Sequence, residues 1–315
     1  MFKAVKEAFG KFQQVTVKDE ESGNAMRLVP EHGACLLDLK LNGTAVIDGY
    51  QTPMELDFNN WCKNRLLFPF PNRLKHGTYH WEDHIYQFPI NDEQTGNALH
   101  GHGMEKPFRY TQLSIEKDKA LVECSFKNQG DDPAYPFRYS INVSYEISIH
   151  HSFVIQLTFQ NLHTRPIPVG IGWHPYFKLD EEGVNNLNLQ LPPCEMIGID
   201  PQMIPTGKRY AYDRFEQKRP IQVEVLDNCF ALINPENKAS VSLSNGKKEL
   251  HYWQETGERK FNYLQVFTPP HRQSIALEPM TCNIDAFNNE SGLVTLHPGE
   301  RISTRCGVSL REIGA

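Results

Sequence analysis

Two residues in this chain combine a reactive type with a setting that general acid–base chemistry uses. Glu278, in "SIALEPMTCN", falls on the apolar phase of a strand-like run immediately before Pro279. A carboxylate there is costly to bury unless it is paired or put to use. His174, in "GIGWHPYF", follows Gly170 and Gly172, which permit close backbone approach, and precedes Pro175, which stiffens the chain. A lone histidine is as readily a hydrogen-bonded core residue as a catalyst, so this segment alone leaves both readings open. Trp173, Tyr176 and Phe177 are read as an aromatic wall beside it, and ring faces are the usual partners of sugar C–H surfaces.

Three further segments hold polar residues in stiff or glycine-rich surroundings. In "FPFPNRLKHGTYHW", Asn72 and Arg73 lie just before a strand beginning near Tyr79. Prolines and aromatics around Arg73 suit a fixed guanidinium fork for sugar or carboxylate oxygens, although a solvated surface arginine is equally ordinary. "GNALHGHGMEKPF" places His100 and His102 two residues apart. On a strand such a pair points both rings to one face, a familiar metal-ligand arrangement. Within glycines the same pair also fits a loop that touches substrate or plays a structural part. Asp227, in "VLDNCFALI", stands between two strands, and Asp-Asn read by itself favours an ordinary turn dipeptide.

The elements that must position these residues are strands. Strict alternation runs through "FRYSINVSYEISI", where Phe137, Tyr139, Ile141, Val143, Tyr145, Ile147 and Ile149 share one face. "SFVIQLTFQN" follows in phase after a short His-His turn, which predicts a long hairpin. Alternation recurs in residues 187–191, in "PIQVEV" (Ile221, Val223, Val225), in "ASVSLSNGKKELHYW" and in residues 302–310. Asn42-Gly43 and Asn245-Gly246 are read as φ > 0 pairs of tight turns. Helical periodicity is scarce, with only the first dozen residues ambiguous. The expectation is an all-β chain of large packed antiparallel sheets, forming one domain over residues 1–315.

Composition limits the function classes. With 39% hydrophobic and 22% charged residues the chain has the balance of a soluble globular protein. A net charge of −6 and the lack of a Lys/Arg run argue against nucleic acid as a partner. No segment approaches the ~20 consecutive apolar residues that span a bilayer. "MFKAVKEAFGKF" lacks the continuous apolar stretch of a secretory signal. Seven scattered cysteines without a CxxC pair fit reduced thiols, and a cytoplasmic location is expected.

Taken in order, "LLFPFPNRLKHGTY", "NALHG", "GIGWHPYFKL", "LDNCFAL", "LEPMTCNIDAFN" and "GLVTLHPGE" resemble the aldose 1-epimerase (mutarotase) family, over residues 66–300. The resemblance implies a galactose-mutarotase-like β-supersandwich that holds an aldose. It implies Glu278 as the catalytic base and His174 as the catalytic acid, with Arg73, His100, Asp227 and the aromatic Phe267 of "LQVFTPP" contacting substrate; Asn72, next to Arg73, is expected at the substrate as well. Neither cofactor nor metal is implied; a small-molecule aldose is the expected partner, and the chain is expected to be a monomer or homodimer. Galactose-type members carry an asparagine directly before the histidine, where this chain has Trp173, which leaves the sugar open.

Those roles are chemically coherent. Anomer exchange requires removing the proton of the C1 hydroxyl while the ring oxygen is protonated. Ordinary pKa values of about 4.3 for Glu and about 6.5 for His allow a carboxylate and an imidazolium to coexist just below neutrality. A nearby carboxylate favours the charged His174. Two other expectations stay beside this one: a hexose-6-phosphate epimerase, which needs extra basic residues at the rim, and a non-catalytic sugar-binding protein. A metal enzyme built on His100 and His102 is a third.

Overall fold

The alternation of residues 137–149 is realised as the strand Tyr139–Ser148, whose residues alternate buried and part-exposed. It pairs antiparallel with Ser152–Asn161 in unbroken register from Tyr139 opposite Asn161 to Ser148 opposite Ser152. A computed structural model of the chain describes residues 1–179, 183–233 and 237–314.

The hairpin belongs to a nine-stranded antiparallel sheet. In spatial order its strands are Arg109–Ile115, Lys119–Asn128, Tyr139–Ser148, Ser152–Asn161, Arg301–Glu312, Lys248–Glu255, Lys238–Ser244, Asn188–Gln190 and Arg219–Pro220. The late strand Arg301–Glu312 therefore lies between Ser152–Asn161 and Lys248–Glu255 and joins the two parts of the sheet. A second sheet runs Pro205–Tyr212, Cys194–Ile199, Asp227–Leu232, Tyr263–Phe267, Ile275–Met280, Gly172–Trp173 and Leu66–Leu67, with Tyr176–Phe177 also on Ile275–Met280. Ile275–Met280 is buried along its whole length, as expected of a central strand covered on both faces. A five-stranded sheet spans Lys3–Phe9 to Thr44–Ala45.

The all-β architecture read from the sequence is thus present, and the largest apolar core draws on residues from Phe2 to Leu310. Each large apolar side chain fully buried there contributes on the order of 1.5–3 kcal/mol. No helix is long and apolar enough to cross a membrane among the described residues.

One open reading is resolved and two local expectations are corrected. The first dozen residues form strands, Lys3–Phe9 turning at Gly10 (φ 61°) into Phe12–Asp19. "PIQVEV" is no strand beyond Pro220: Ile221 is buried while Val223 and Val225 are exposed, because the chain turns there instead of pairing. At Asn42-Gly43 both residues take positive φ, as the tight turn requires, whereas at Asn245-Gly246 only Gly246 does. In the latter, Asn245 Oδ1 accepts from the Lys247 and Lys248 N–H groups, so the side chain closes the loop.

Candidate active site

Cross-strand register assembles the site. Gln265 pairs with Glu278, Phe267 with Ala276 and Asp227, and Tyr176 with Ala276. Paired residues point to the same face of a sheet, and residues two apart do too. Asp227, Gln265, Phe267, Glu278 and Tyr176 therefore share one face, and His174 joins them two residues before Tyr176. They line a cavity of about 170 Å³ with Trp61, Cys62, Asn72, Arg73, Leu99 and His100. All seven residues singled out in the sequence (Asn72, Arg73, His100, His174, Asp227, Phe267 and Glu278) border this one pocket.

The same period of two corrects the aromatic wall. Trp173 and Phe177 fall on the opposite face, fully buried in the core; the Trp173 indole donates to the Asn64 carbonyl at 3.3 Å. Only Tyr176 of the three faces the pocket, its ring stacked on His174 with centroids 5.0 Å apart. Trp173 does not border the cavity, so the residue directly before His174 sets no contact there. Gly172 has no alternative, since a Cβ would lie 2.9 Å from the Pro279 carbonyl oxygen.

A second pair of short strands, Arg73–Leu74 and Ala98–Leu99, brings in the remaining residues. Asn72 (φ 58°) and His100 (φ 64°) both turn left-handed at its end. His100 N–H donates to the Asn72 carbonyl at 2.8 Å, and Asn72 N–H donates to His100 Nδ1 at 3.1 Å. With Nδ1 occupied as an acceptor, the neutral ring carries its proton on Nε2. Burial pushes the His100 pKa well down, helped by His174 and Arg73. The result is a fixed neutral N–H donor.

His102 departs from the paired reading. Positive φ at His100 and Gly101 breaks the strand geometry that would align the rings. His102 instead joins Asp132 (Nδ1 to Oδ2, 2.7 Å) and Tyr139 OH (Nε2, 3.0 Å), away from the pocket lining. Asp227 departs from its turn reading too, since it opens the strand Asp227–Leu232.

The centre is the pair His174 and Glu278, both buried, with Nε2 and Oε1 3.3 Å apart. Burial pushes the His174 pKa down to about 3. Burial also pushes Glu278 well up, and the nearby Asp227 carboxylate adds to this. Burial thus disfavours the charged form of each group, the Glu278 carboxylate and the His174 imidazolium alike. Glu278 Oε2 is buried with no partner among the described residues, an open hydrogen-bonding position of the kind functional sites keep.

Flanking groups hold one another. Gln265 Nε2 donates to Asp227 Oδ1 at 2.7 Å, and Gln265 Oε1 accepts from Asn72 Nδ2 at 3.3 Å. Burial raises the Asp227 pKa while Arg73 opposes it. Arg73 itself is ion-paired through Nε with Asp92 Oδ2 at 2.8 Å.

Donor atoms of His100, His174 and Glu278 lie within 4.8 Å of one another, a spacing that suits a cation. The protonation imposed by Asn72 argues against one. The His100 nitrogen left for the pocket bears a hydrogen, whereas ligation needs its lone pair.

The lining residues missed in the sequence are Trp61, Cys62, Leu99 and Gln265. Gln265 carried a signal, being two residues before Phe267 on the same strand face. Trp61 and Cys62 carried none, because their segment obeys no period: Asn59, Trp61, Cys62 and Asn64 all take positive φ. Arg65, fully buried, holds this segment by donating to Asn59 Oδ1 and to the carbonyls of His32, Leu56 and Met104. Tyr176 OH donates to the Trp61 carbonyl at 2.9 Å.

Comparison with known proteins agrees with this architecture. A family profile described as aldose 1-epimerase matches residues 13–309. The uncharacterized protein YihR of Escherichia coli is 27% identical over 282 residues, covering 85% of this chain and 84% of that protein. Among solved structures, a galactose mutarotase-like protein from Clostridium acetobutylicum superposes with a TM-score of 0.87 at 22% identity, covering 99% of both chains. A galactose 1-epimerase from Lactobacillus acidophilus gives 0.83 at 18% identity, covering 100% of this chain and 99% of that one.

Proposed function

The chain belongs to the aldose 1-epimerase family, and from that premise we propose that it interconverts the α and β anomers of an unphosphorylated hexose such as glucose or galactose, with Glu278 as base and His174 as acid. The observation that carries this reading is the 3.3 Å approach of His174 Nε2 to Glu278 Oε1 on the floor of a one-ring pocket.

The pair holds one proton in its neutral form and one in its charged form. Passing between them needs only a transfer across that contact, with no proton drawn from solvent. Substrate hydroxyls replace the solvation that burial removes and favour the charged form. Glu278 then takes the proton of the C1 hydroxyl while His174 delivers one to the ring oxygen, and the C1–O5 bond breaks to the open aldehyde. Rotation about C1–C2 presents the other carbonyl face. Ring closure reverses both transfers and returns each proton to its donor. His100 contributes an N–H donor that holds its place throughout.

Charge at the lining favours an unphosphorylated sugar. Arg73 is the cation among the described lining residues, it is ion-paired with Asp92, and Asp227 and Glu278 share the pocket with it. A phosphate dianion would meet two carboxyl groups and no free cation there. The presence of both acid and base sets the non-catalytic reading behind the enzyme. Polarimetry on freshly dissolved α-glucose, α-galactose and glucose 6-phosphate tests the proposal. Acceleration over the spontaneous rate is expected for the free hexoses; no acceleration on any aldose overturns it.

A further inference from the structure

A second cavity, of about 250 Å³, gathers hydrogen-bond donors and holds no carboxylate among its lining residues. Its polar lining is Lys208, Arg209, Asn283, Asn289 and Ser291. In a chain of net charge −6, two cations with no acid beside them in one cavity run against the average surface.

Strand register places this cavity apart from the sugar pocket. Arg209 pairs with Ile197 on the neighbouring strand, while further along the same sheet Cys229 pairs with Gln265 and Gln265 with Glu278. Arg209 therefore lies four strands from Glu278, roughly 19 Å at the ~4.8 Å spacing of strands. Lys208, the next residue, would point to the opposite face of a regular strand. The register slips there, between the Ile197–Arg209 and Ile199–Pro205 pairs, so that Thr206, Gly207 and Lys208 stand opposite Gly198 alone. Gly207 takes φ 80° and Thr206 OH donates to the Gly198 carbonyl at 3.0 Å, which fixes the irregularity. Bulges re-aim side chains, and this one brings both cations to one cavity.

The deepest donor is the Asn283 amide, in a residue only 5% exposed. Its Oδ1 accepts from the Ile284 N–H at 2.8 Å and from the Cys229 thiol at 3.8 Å, so the amide is fixed with Nδ2 left for the cavity. Nδ2 has no partner among the described residues. A buried donor without an acceptor is costly unless a ligand or solvent supplies one. The opposite wall is held too: Asn283 N–H donates to the Ser291 carbonyl at 3.0 Å, and Ser291 Oγ bonds Tyr263 OH at 2.9 Å. Lys208 is exposed and has no partner among the described residues. Arg209 makes one rim contact, Nη1 to Glu195 Oε2 at 3.4 Å, which leaves Nε and Nη2 to donate.

We propose that this cavity is a binding site for a phosphate group, free or as the monoester of a small metabolite, separate from the sugar pocket. Lys208 and Arg209 supply the charge, the fixed Asn283 amide supplies direction, and no lining carboxylate repels a dianion. The site rests on none of the aldose chemistry, so the two readings fail separately.

Calorimetric titration of the full chain with inorganic phosphate should be saturable, with the same affinity when glucose is present in excess. Lys208→Ala combined with Arg209→Ala, on an exposed edge strand, should weaken binding about tenfold or more. Asn283→Asp keeps the Oδ1 acceptor and sets a carboxylate against the anion, so it should weaken binding at least as much. Lys40→Ala, which removes an exposed cation elsewhere, should leave the affinity unchanged. In nitrogen-15 spectra the Asn283 side-chain amide, identified by its loss in Asn283→Asp, should move as phosphate is added. Glycerol 3-phosphate binding more tightly than inorganic phosphate assigns the site to a monoester, and weaker binding assigns it to the free anion; both support the site. No saturable binding of either probe, displacement of phosphate by glucose, or equal binding by the wild type and the Lys208→Ala, Arg209→Ala protein overturns it.

Discussion

The Asn72 backbone N–H donates to His100 Nδ1 at 3.1 Å, while the His100 N–H donates back to the Asn72 carbonyl at 2.8 Å. The backbone thereby fixes which ring nitrogen bears the proton. Nitrogen-15 spectra should show His100 as the Nε2–H tautomer, still neutral at the pH where an ordinary histidine takes up its proton. His100→Gln, which presents an N–H at a similar reach, should keep more activity than His100→Phe, whose loss should be about 10²–10³-fold in kcat.

Removing either member of the central pair should cost about 10²–10⁴-fold in kcat. His174→Gln combined with Glu278→Gln should cost little more than the worse single change, because the two act as a unit. Since burial pushes the His174 pKa down to about 3, the kcat/KM profile should show no acid limb at the ordinary histidine value. Activity that halves as pH falls through 6.5, and does so through His174, would overturn the lowered His174 pKa.

The buried pair also sets opposite stability slopes. Glu278 keeps its proton to higher pH folded than unfolded, so stability falls as pH rises above about 4.5. His174 stays neutral folded while the unfolded chain takes up a proton below about 6.5, so stability falls as pH drops toward 3. Glu278→Gln should therefore raise Tm at pH 8, by about 1.5 °C for each 1 kcal/mol relieved in a chain of 315 residues, with a smaller gain at pH 4.5. His174→Gln should flatten the acid side. Calorimetric Tm values from pH 4 to 9 check both signs.

Dialysis against a chelator should leave anomer exchange unchanged, because the His100 nitrogen open to the pocket is a donor. Loss of activity on chelation, regained with zinc, would show that the tautomer is wrong.

Strands are legible in the sequence wherever one face is buried and the other wet, as in Tyr139–Ser148 and Ser152–Asn161. "PIQVEV" alternates just as well and is not a strand, since alternation reports only a possible face and Val223 and Val225 have nothing to pack against. Within the site, period two separates Tyr176 from Trp173 and Phe177, so a wall made of all three rings is incompatible with extended backbone. For Asp227 the local dipeptide points to a turn, while its pairing with Phe267, forty residues away in sequence, makes it a strand residue. Trp61 and Cys62 lie beyond reach: left-handed backbone imposed by Arg65 and distant carbonyls leaves no periodic trace.

The strand Arg301–Glu312 carries a consequence for biosynthesis. It lies between Ser152–Asn161 and Lys248–Glu255, so on the ribosome both wait, one of them for about 140 residues of further translation, before either can hydrogen-bond along that side. A stalled or clipped chain lacking it offers two long open edges to any neighbouring strand. A strand that lines no part of the pocket is thus the one whose absence exposes a nascent chain to its neighbours.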